Sequence, residues 1–317
     1  MAQNTARPAA RAKFSDPFLT ATGEPRASVA LRALETLWFN TGTLCNIECR
    51  NCYILSSPTN DDLVYLTTAE VEGYLDEIAA RALPTREIGF TGGEPFMNPE
   101  MCAMARLALG RGFEVLILTN AMRPMMRPAV QDELVSLARE HGARLTLRVS
   151  LDHYTAAQHD EQRGEGSFAK TLEGMRWLRD AGIRMAVAGR SIWAEDEISC
   201  RAGFAALFAR EGFGIDAADP AALVLFPEMD AEADVPEITT ACWGILGKSP
   251  HSVMCSNARM VVRRRGEPRP VVLACTLLPY DRRFELGRTL AEADRAVALN
   301  HPHCARFCVL GGARCSA

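Results

Sequence analysis

The sequence predicts an α/β protein: a parallel sheet wound with helices, followed by a small cysteine-rich β region. Two observations carry this. Between about residues 34 and 228, short runs rich in apolar and β-branched residues alternate about six times with longer stretches of helical period. After residue 250 the rhythm changes to a strand pair, a turn and a tail that carries cysteines.

The strand-like runs are LETLWFN, REIGFTG, FEVLILT, RLTLRVS, IRMAVAG and ALVLF, each short and apolar enough for a buried strand. Between them TTAEVEGYLDEIAARAL, PEMCAMARLALGRG, PAVQDELVSLAREHG, SFAKTLEGMRWLRDAG and EISCRAGFAALFAREG repeat apolar residues at helical spacing. Thr67 and Glu70 form a capping box at the start of the first helix, and Gly112, Gly142, Gly182 and Gly212 supply stop signals. Strand then helix, repeated, implies parallel strands joined by right-handed crossovers. The pattern fits an open doubly wound sheet and an incomplete barrel alike; in both, ligands gather at the C-terminal ends of the strands. The same rhythm gives the boundaries: a flexible, weakly basic segment over 1–33, the βα region over 34–228, a connector over 229–250, and the β-rich region over 251–317.

At 317 residues and 48% hydrophobic content, the chain is large enough for one domain with an appendage. A net charge of -4 gives no footprint for nucleic acid or anionic lipid. No stretch approaches the ~20 uninterrupted apolar residues of a membrane span. The first residues lack the apolar core of a secretory signal, so a cytoplasmic location is expected, with no membrane partner. Eleven cysteines in such a chain point to metal or redox chemistry. Cys45, Cys49 and Cys52 form one group; Cys304, Cys308 and Cys315 form a second, with Cys255 and Cys275 upstream. Cys102, Cys200 and Cys242 are scattered and read as packed thiols.

NTGTLCNIECRNCYI follows directly on the first strand, so it is a loop at that strand's C-terminal end. Thiolates suit iron–sulfur clusters. Three cysteines spaced four and then three residues apart can each take one iron of a four-iron, four-sulfur (4Fe-4S) cubane. The fourth iron is left open, as a catalytic cluster needs. The alternative, structural zinc, takes four protein ligands, and no fourth Cys or His lies nearby. One βα unit later, GFTGGEP ends the second strand. Its glycine pair lets backbone approach a ligand closely, and Glu94 can accept a hydrogen bond from an ammonium.

CxxxCxxC after the first strand, with GGE after the second, resembles the radical S-adenosylmethionine (radical SAM) superfamily over about residues 34–228. The usual pattern has an aromatic before the third cysteine; here Asn51 stands there and Tyr53 follows, a variant resembling the branch with C-terminal auxiliary clusters. The resemblance implies a partial (β/α)6 TIM-like barrel, a catalytic 4Fe-4S cluster on Cys45, Cys49 and Cys52, and S-adenosylmethionine as cofactor. It implies that Gly92, Gly93 and Glu94 meet the methionine amino group. Ser150 and Asp152 then suit ribose hydroxyls, Arg163 pairs with the methionine carboxylate, and Phe226 flanks adenine. Tyr53 and Asn120 complete the implied cofactor-binding set.

CSNARMVVRRRGEPRPVVLAC is a hairpin with cysteine at both ends, followed by FELG. HPHCARFCVLGGARC puts Cys304 and Cys308 one helical turn apart, and its two glycines let Cys315 fold back. This region resembles the family's SPASM or twitch extension, with fewer cysteines than a full SPASM set. The resemblance implies one auxiliary 4Fe-4S cluster, on Cys255, Cys275, Cys308 and one of Cys304 or Cys315; zinc or buried thiols are the alternative.

The implied activity is reductive cleavage of S-adenosylmethionine to a 5′-deoxyadenosyl radical. That radical abstracts hydrogen from a small-molecule or short-peptide substrate, leading to oxidation, rearrangement or a crosslink. A reductant such as flavodoxin or ferredoxin is the implied electron source. A peptide- or protein-modifying enzyme with a SPASM-type domain is one alternative. A non-enzymatic iron–sulfur redox sensor is another, although a sensor needs neither GGEP nor six βα units. Asp152, His153, Arg190, Trp193 and Glu228 lie at or just beyond strand ends and are the candidates to bind or deprotonate substrate.

Overall fold

The computed structural model describes residues 12–228, 230 and 232–311. A two-residue strand, β1 (Ser28–Val29), precedes the main sheet. Six parallel strands then lie side by side in chain order: β2 (Thr36–Asn40), β3 (Glu87–Thr91), β4 (Glu114–Thr119), β5 (Leu145–Ser150), β6 (Arg184–Arg190) and β7 (Leu223–Phe226). All five residues of β2 are buried, as befits a parallel strand covered on both faces. The crossovers carry α1 (Thr68–Ala80), α2 (Met101–Gly110), α3 (Pro128–His141), α4 (Ala156–Arg163), α5 (Ser167–Asp180) and α6 (Glu197–Glu211). At the start of α1, Glu70 N donates to Thr67 Oγ1 at 3.3 Å and Thr67 N donates to the Glu70 carboxylate at 2.9 Å. The same helix buries Val71, Tyr74, Leu75 and Ile78, one stripe at helical spacing. Asp196 caps the start of α6, and Gly212 ends it in the left-handed region at φ 67°.

Helix α4 has no counterpart among the expected helices. After Ala156 and Ala157 it is polar, and its buried residues are His159 and Gln162. Its start of α5 is organised by Asp160, whose carboxylate accepts from Gly166 N, Ser167 Oγ and Phe168 N at 2.7–2.9 Å.

The C-terminal region is not a separate appendage. After α7 (Cys242–Leu246), strand β8 (Ala258–Val262) pairs parallel with β2, on the side away from β3. Strand β9 (Val271–Leu273) pairs antiparallel with β8, and β10 (Glu285–Gly287) antiparallel with β9. The physical reason is edge protection. Without β8 the fully buried β2 would expose an apolar edge. The result is a nine-stranded sheet, open among the described residues, with β7 and β10 at its two edges.

Residues 12–33 differ from the flexible segment expected of the sequence; residues 1–11 lie outside the described residues. Strand β1 pairs antiparallel with β11 (Val297–Ala298). Ala27 N donates to Ile238 O at 2.8 Å, and Leu299 N donates to Ala27 O at 3.0 Å. The Arg26 guanidinium is fully buried, ion-paired with Glu237 and bonded to the carbonyls of Asp16, Leu19 and Leu299. Removing one member of such a pair leaves the other charge buried. Arg26→Ala is therefore expected to lower stability by about 3–5 kcal/mol in urea unfolding, far more than Arg50→Ala in an exposed pair.

Candidate active site

The C-terminal ends of the parallel strands open into one cavity that encloses about 1060 Å³, its open mouth included. Thr91 of β3, Thr119 of β4, Ser150 of β5, Arg190 of β6 and Phe226 of β7 all line it. Cys45, Cys49 and Cys52, from the loop after β2, line the same cavity. Among the described residues, no three His, Cys, Asp or Glu side chains are arranged to hold a single metal ion.

The cysteine loop is fixed by main-chain bonds. Thr41 N donates to Thr91 O at 2.7 Å, Thr43 N to Leu63 O at 2.9 Å, and Cys45 N to Ser57 O at 3.0 Å. From the next strand, Gly93 N donates to Gly42 O at 2.8 Å and Glu94 N to Leu44 O at 3.1 Å. A Cβ on Gly93 would sit 2.3 Å from Leu44 O and 2.6 Å from Thr43 O; one on Gly92 would sit 2.5 Å from Gly42 O. Gly92 also has φ 146°. The glycine pair lines the cavity as expected of a ligand contact, and it also makes room for the backbone that carries Cys45.

Burial pushes the Cys45 thiol up to about 12 and raises Cys49 as well, although the Arg163 charge opposes the latter. Both are held as thiols, so a metal must displace their protons. Donors stand ready for the sulfurs: Ser56 N lies 3.3 Å from Cys52 Sγ, and Asn120 Nδ2 lies 3.9 Å from Cys45 Sγ.

Glu94 alone of the expected cofactor contacts does not line the cavity. It is buried behind the wall and ties strand ends together. Its carboxylate accepts from Thr119 Oγ1 and Asn120 N, both at 2.8 Å, and from Phe96 N at 3.3 Å. Burial lifts its carboxyl to about 7 despite those three donors.

Tyr53, Asn120, Ser150, Asp152, Arg163 and Phe226 do line the cavity. Asp152 is held by a bidentate ion pair: Arg163 Nε donates to Oδ2 at 2.8 Å and Nη2 to Oδ1 at 2.9 Å. Arg190 Nε adds a contact at 3.4 Å, and Arg190 Nη2 donates to Asn51 O in the cysteine loop at 2.9 Å. Burial works against ionisation of Asp152, but the two guanidiniums prevail and hold its carboxyl below the usual range. Arg163 reaches this position from the last turn of α4, the helix that the apolar pattern did not reveal.

Three expected substrate residues stand apart from the cavity. His153 is buried on the other side of the chain from Asp152. It stacks on Tyr154 with ring centroids 4.1 Å apart, meets Trp193 edge-on at 4.7 Å, and lies 3.4 Å from the Glu195 carboxylate. Trp193 donates through Nε1 to Glu161 at 3.4 Å. Glu228 is exposed and pairs with Arg306 at 3.3 Å. Strand-end position predicts nearness, but side chains alternate in direction along the chain, which separates His153 from Asp152.

A second cavity lies in the C-terminal region, lined by Cys255, Cys275, Cys304 and Cys308. Cys304–Leu310 forms a π-helical turn, closed by Gly311 N donating to Arg306 O at 2.9 Å, in place of the ordinary helical turn expected. Cys315 lies outside the described residues. Leu277 lines both cavities, and Phe307, which lines the first, stacks on Phe226 with centroids 5.5 Å apart.

Two expectations follow from this geometry. Gly93→Ala must displace the Leu44 carbonyl, an overpacking cost of about 1–3 kcal/mol. Iron bound by the Cys45 loop is expected to fall, by ferrozine assay, while far-UV circular dichroism stays unchanged. For Glu94, the folded value of about 7 exceeds the ordinary 4.5. Its contribution to stability is thus fully present below about pH 4.5 and lost as pH rises through about 7. In urea unfolding of the metal-free protein across this window, Glu94→Gln is expected to flatten the decline.

Residues 39–190 match the family model of the Radical SAM superfamily. Over 141 residues the chain is 33% identical to the AdoMet-dependent heme synthase of Methanosarcina barkeri, covering 43% of this chain and 37% of that protein. Over 145 residues it is 31% identical to the antilisterial bacteriocin subtilosin biosynthesis protein AlbA of Bacillus subtilis, covering 45% of this chain and 30% of that protein. The chain thus spans about a third of the length of these curated relatives. Its fold is similar to that of Streptococcus suis SuiB, solved bound to S-adenosylmethionine, with a TM-score of 0.59 at 9% identity, covering 81% of this chain and 63% of that one. The cysteine loop after β2 and the glycine pair after β3 both fall within the matched residues, and residues 39–190 are a radical SAM domain.

Proposed function

We propose that the chain is an enzyme that cleaves S-adenosylmethionine reductively and takes hydrogen from a short peptide or small molecule seated over the strand ends. The observation that carries this reading is that Cys45, Cys49, Cys52 and the Gly92–Gly93 pair meet on one cavity. The donor set fits a cubane better than zinc. The three thiols are spread along a shared wall, which suits irons at separate corners, whereas zinc needs ligands converging on one point. Cys45, Cys49 and Cys52 would hold this cluster and leave one iron to the cofactor.

When bound, the cluster and S-adenosylmethionine supply one-electron cleavage of the sulfonium and a 5′-deoxyadenosyl radical. The chain's own residues bind and orient. Gly92 and Gly93 let the amino-acid end of the cofactor lie against main chain, and Asn120 borders the same space. Ser150 and the ionised Asp152 offer oxygen acceptors to ribose hydroxyls. Arg163 directs Nε and Nη2 to Asp152 and keeps Nη1 for the methionine carboxylate. Phe226, stacked on Phe307, provides a flat apolar wall for adenine, and Tyr53 borders the same cavity. Of the five candidate substrate residues, Asp152 and Arg190 keep that role by bordering the cavity.

Cys255, Cys275, Cys304 and Cys308 would hold an auxiliary 4Fe-4S cluster. Four thiols around one hollow otherwise lined by residues such as Val253, Leu278 and Phe284 match full protein ligation, which suits electron transfer. One side chain, Leu277, is shared between this hollow and the active-site cavity, a short path for an electron leaving substrate. A reductant such as flavodoxin or ferredoxin would serve the catalytic cluster. Similarity to a bacteriocin biosynthesis protein supports a peptide substrate, and similarity to a heme synthase supports a small molecule.

Anaerobically reconstituted protein, reduced with dithionite, is expected to release 5′-deoxyadenosine and methionine from S-adenosylmethionine. The variant with Cys45, Cys49 and Cys52 all changed to Ala is expected to release neither, yet to retain about four irons per chain in the second site. Release at the wild-type rate by that variant would refute the assignment.

A further inference from the structure

Arg259 is a buried cation without a paired anion. It lies on β8, four residues after Cys255, and is 1% exposed. Its guanidinium donates only to main-chain carbonyls. Nε reaches Ala293 at 3.1 Å, Nη1 reaches Cys255 at 2.6 Å and Ala258 at 2.8 Å, and Nη2 reaches Arg295 at 3.1 Å. Among the described residues, no carboxylate stands within ion-pair distance of it, whereas buried Arg26, Arg190 and Arg264 each face a glutamate or aspartate. Carbonyls satisfy its hydrogen bonds but leave its charge uncompensated, which is strongly unfavourable in an interior. The charge interacts with the thiols of Cys255 and Cys275, with Asp294 at the surface, which is 3.9 Å from Arg81, and with the like charge of Arg295. Both thiols line the second cavity.

We propose that Arg259 is the built-in counter-charge of the auxiliary cluster, a positioning residue that favours the cluster's more negative, reduced form and so raises its reduction potential. The inference rests on the auxiliary-cluster reading given above. On reduction, one electron passes from an external reductant to the cluster, whose negative charge grows by one; no bond is made or broken and no proton moves. A fixed cation beside the ligands stabilises that form, and charge near the sulfurs is a recognised control of potential.

The test is an EPR-monitored dithionite titration of the full chain carrying Ala at Cys45, Cys49 and Cys52, which isolates the auxiliary cluster. Arg259→Gln keeps donors for the carbonyls and removes the charge. It is expected to shift the oxidised-to-reduced ratio at a given potential at least tenfold toward the oxidised form, about 59 mV lower. Arg259→Lys keeps the charge and loses the fork that holds the Cys255 carbonyl. It is expected to retain the parent potential. An unchanged potential in Arg259→Gln, or a tenfold shift in Arg259→Lys, overturns the proposal. If the glutamine variant does not fold, the lysine variant decides by itself, because a purely structural role predicts that it fails. No iron in the parent chain would overturn the auxiliary-cluster reading, and the inference with it.

Discussion

The approach of the β3 glycine pair to the loop after β2 governs the geometry of the whole site. Main chain from two neighbouring strand ends meets so closely that a side chain at Gly93 would overlap the Leu44 carbonyl. The contact fixes the backbone one residue before Cys45, where a drifting loop would misplace a ligand. Glu94 extends the lock to the third strand end, because its carboxylate gathers Thr119 and Asn120. Asn120 then reaches back to Asn46 at 2.9 Å and to Cys45 Sγ. Three successive strand ends thus form a closed ring of hydrogen bonds around one thiol. The precision comes from the rigid sheet rather than from the loop.

Charge is handled in opposite ways on the two sides of Leu277. On the active-site side, one buried carboxylate, Asp152, is surrounded by Arg163 and Arg190, and the second of these also grips the cysteine loop through Asn51 O. That anion is fully compensated within the fold. On the other side, Arg259 has only carbonyl dipoles. The two regions are nevertheless one structure: β8 pairs directly with β2, and Phe307, next to Cys308, stacks on Phe226 at the end of β7.

What could be read in advance divides along physical lines. Strands β2 to β7 are legible because each is a short run rich in apolar and β-branched residues between helices with apolar stripes, and Cys45, Cys49 and Cys52 are legible because their spacing is local. Helix α4 is not legible, since it buries only His159 and Gln162 and offers no apolar period. Its place could still have been inferred from Arg163, which needs a rigid support to meet Asp152. His153, Trp193 and Glu228 show the limit of arguing from strand ends: sequence gives the height of a residue in the sheet but not which way its side chain turns. The clasp made by residues 12–33 is illegible for a different reason. Its partners lie at the far end of the chain, and such pairings leave no local pattern. The gathering of Cys255, Cys275, Cys304 and Cys308 is signalled by the hairpin with a cysteine at each end and by the family resemblance; what no sequence period reveals is that the hairpin joins the main sheet and that the turn carrying Cys304 and Cys308 is π-helical.

That clasp bears on the order in which the molecule is assembled. Arg26 bonds to Leu299, 273 residues further along the chain. Strand β1 pairs with Val297–Ala298, and Val297 and Leu299 are themselves part of the wall around the four C-terminal cysteines. At roughly 5–20 residues per second of synthesis, the first segment waits on the order of tens of seconds for its partners. The parallel strands meanwhile pair with their sequence neighbours, the inexpensive contacts that form early. The wall around the inner cysteines is therefore the last to close. In a cell this leaves an interval, set by translation, in which the hollow lined by Cys255, Cys275, Cys304 and Cys308 is still open, and closure of the clasp then shuts it.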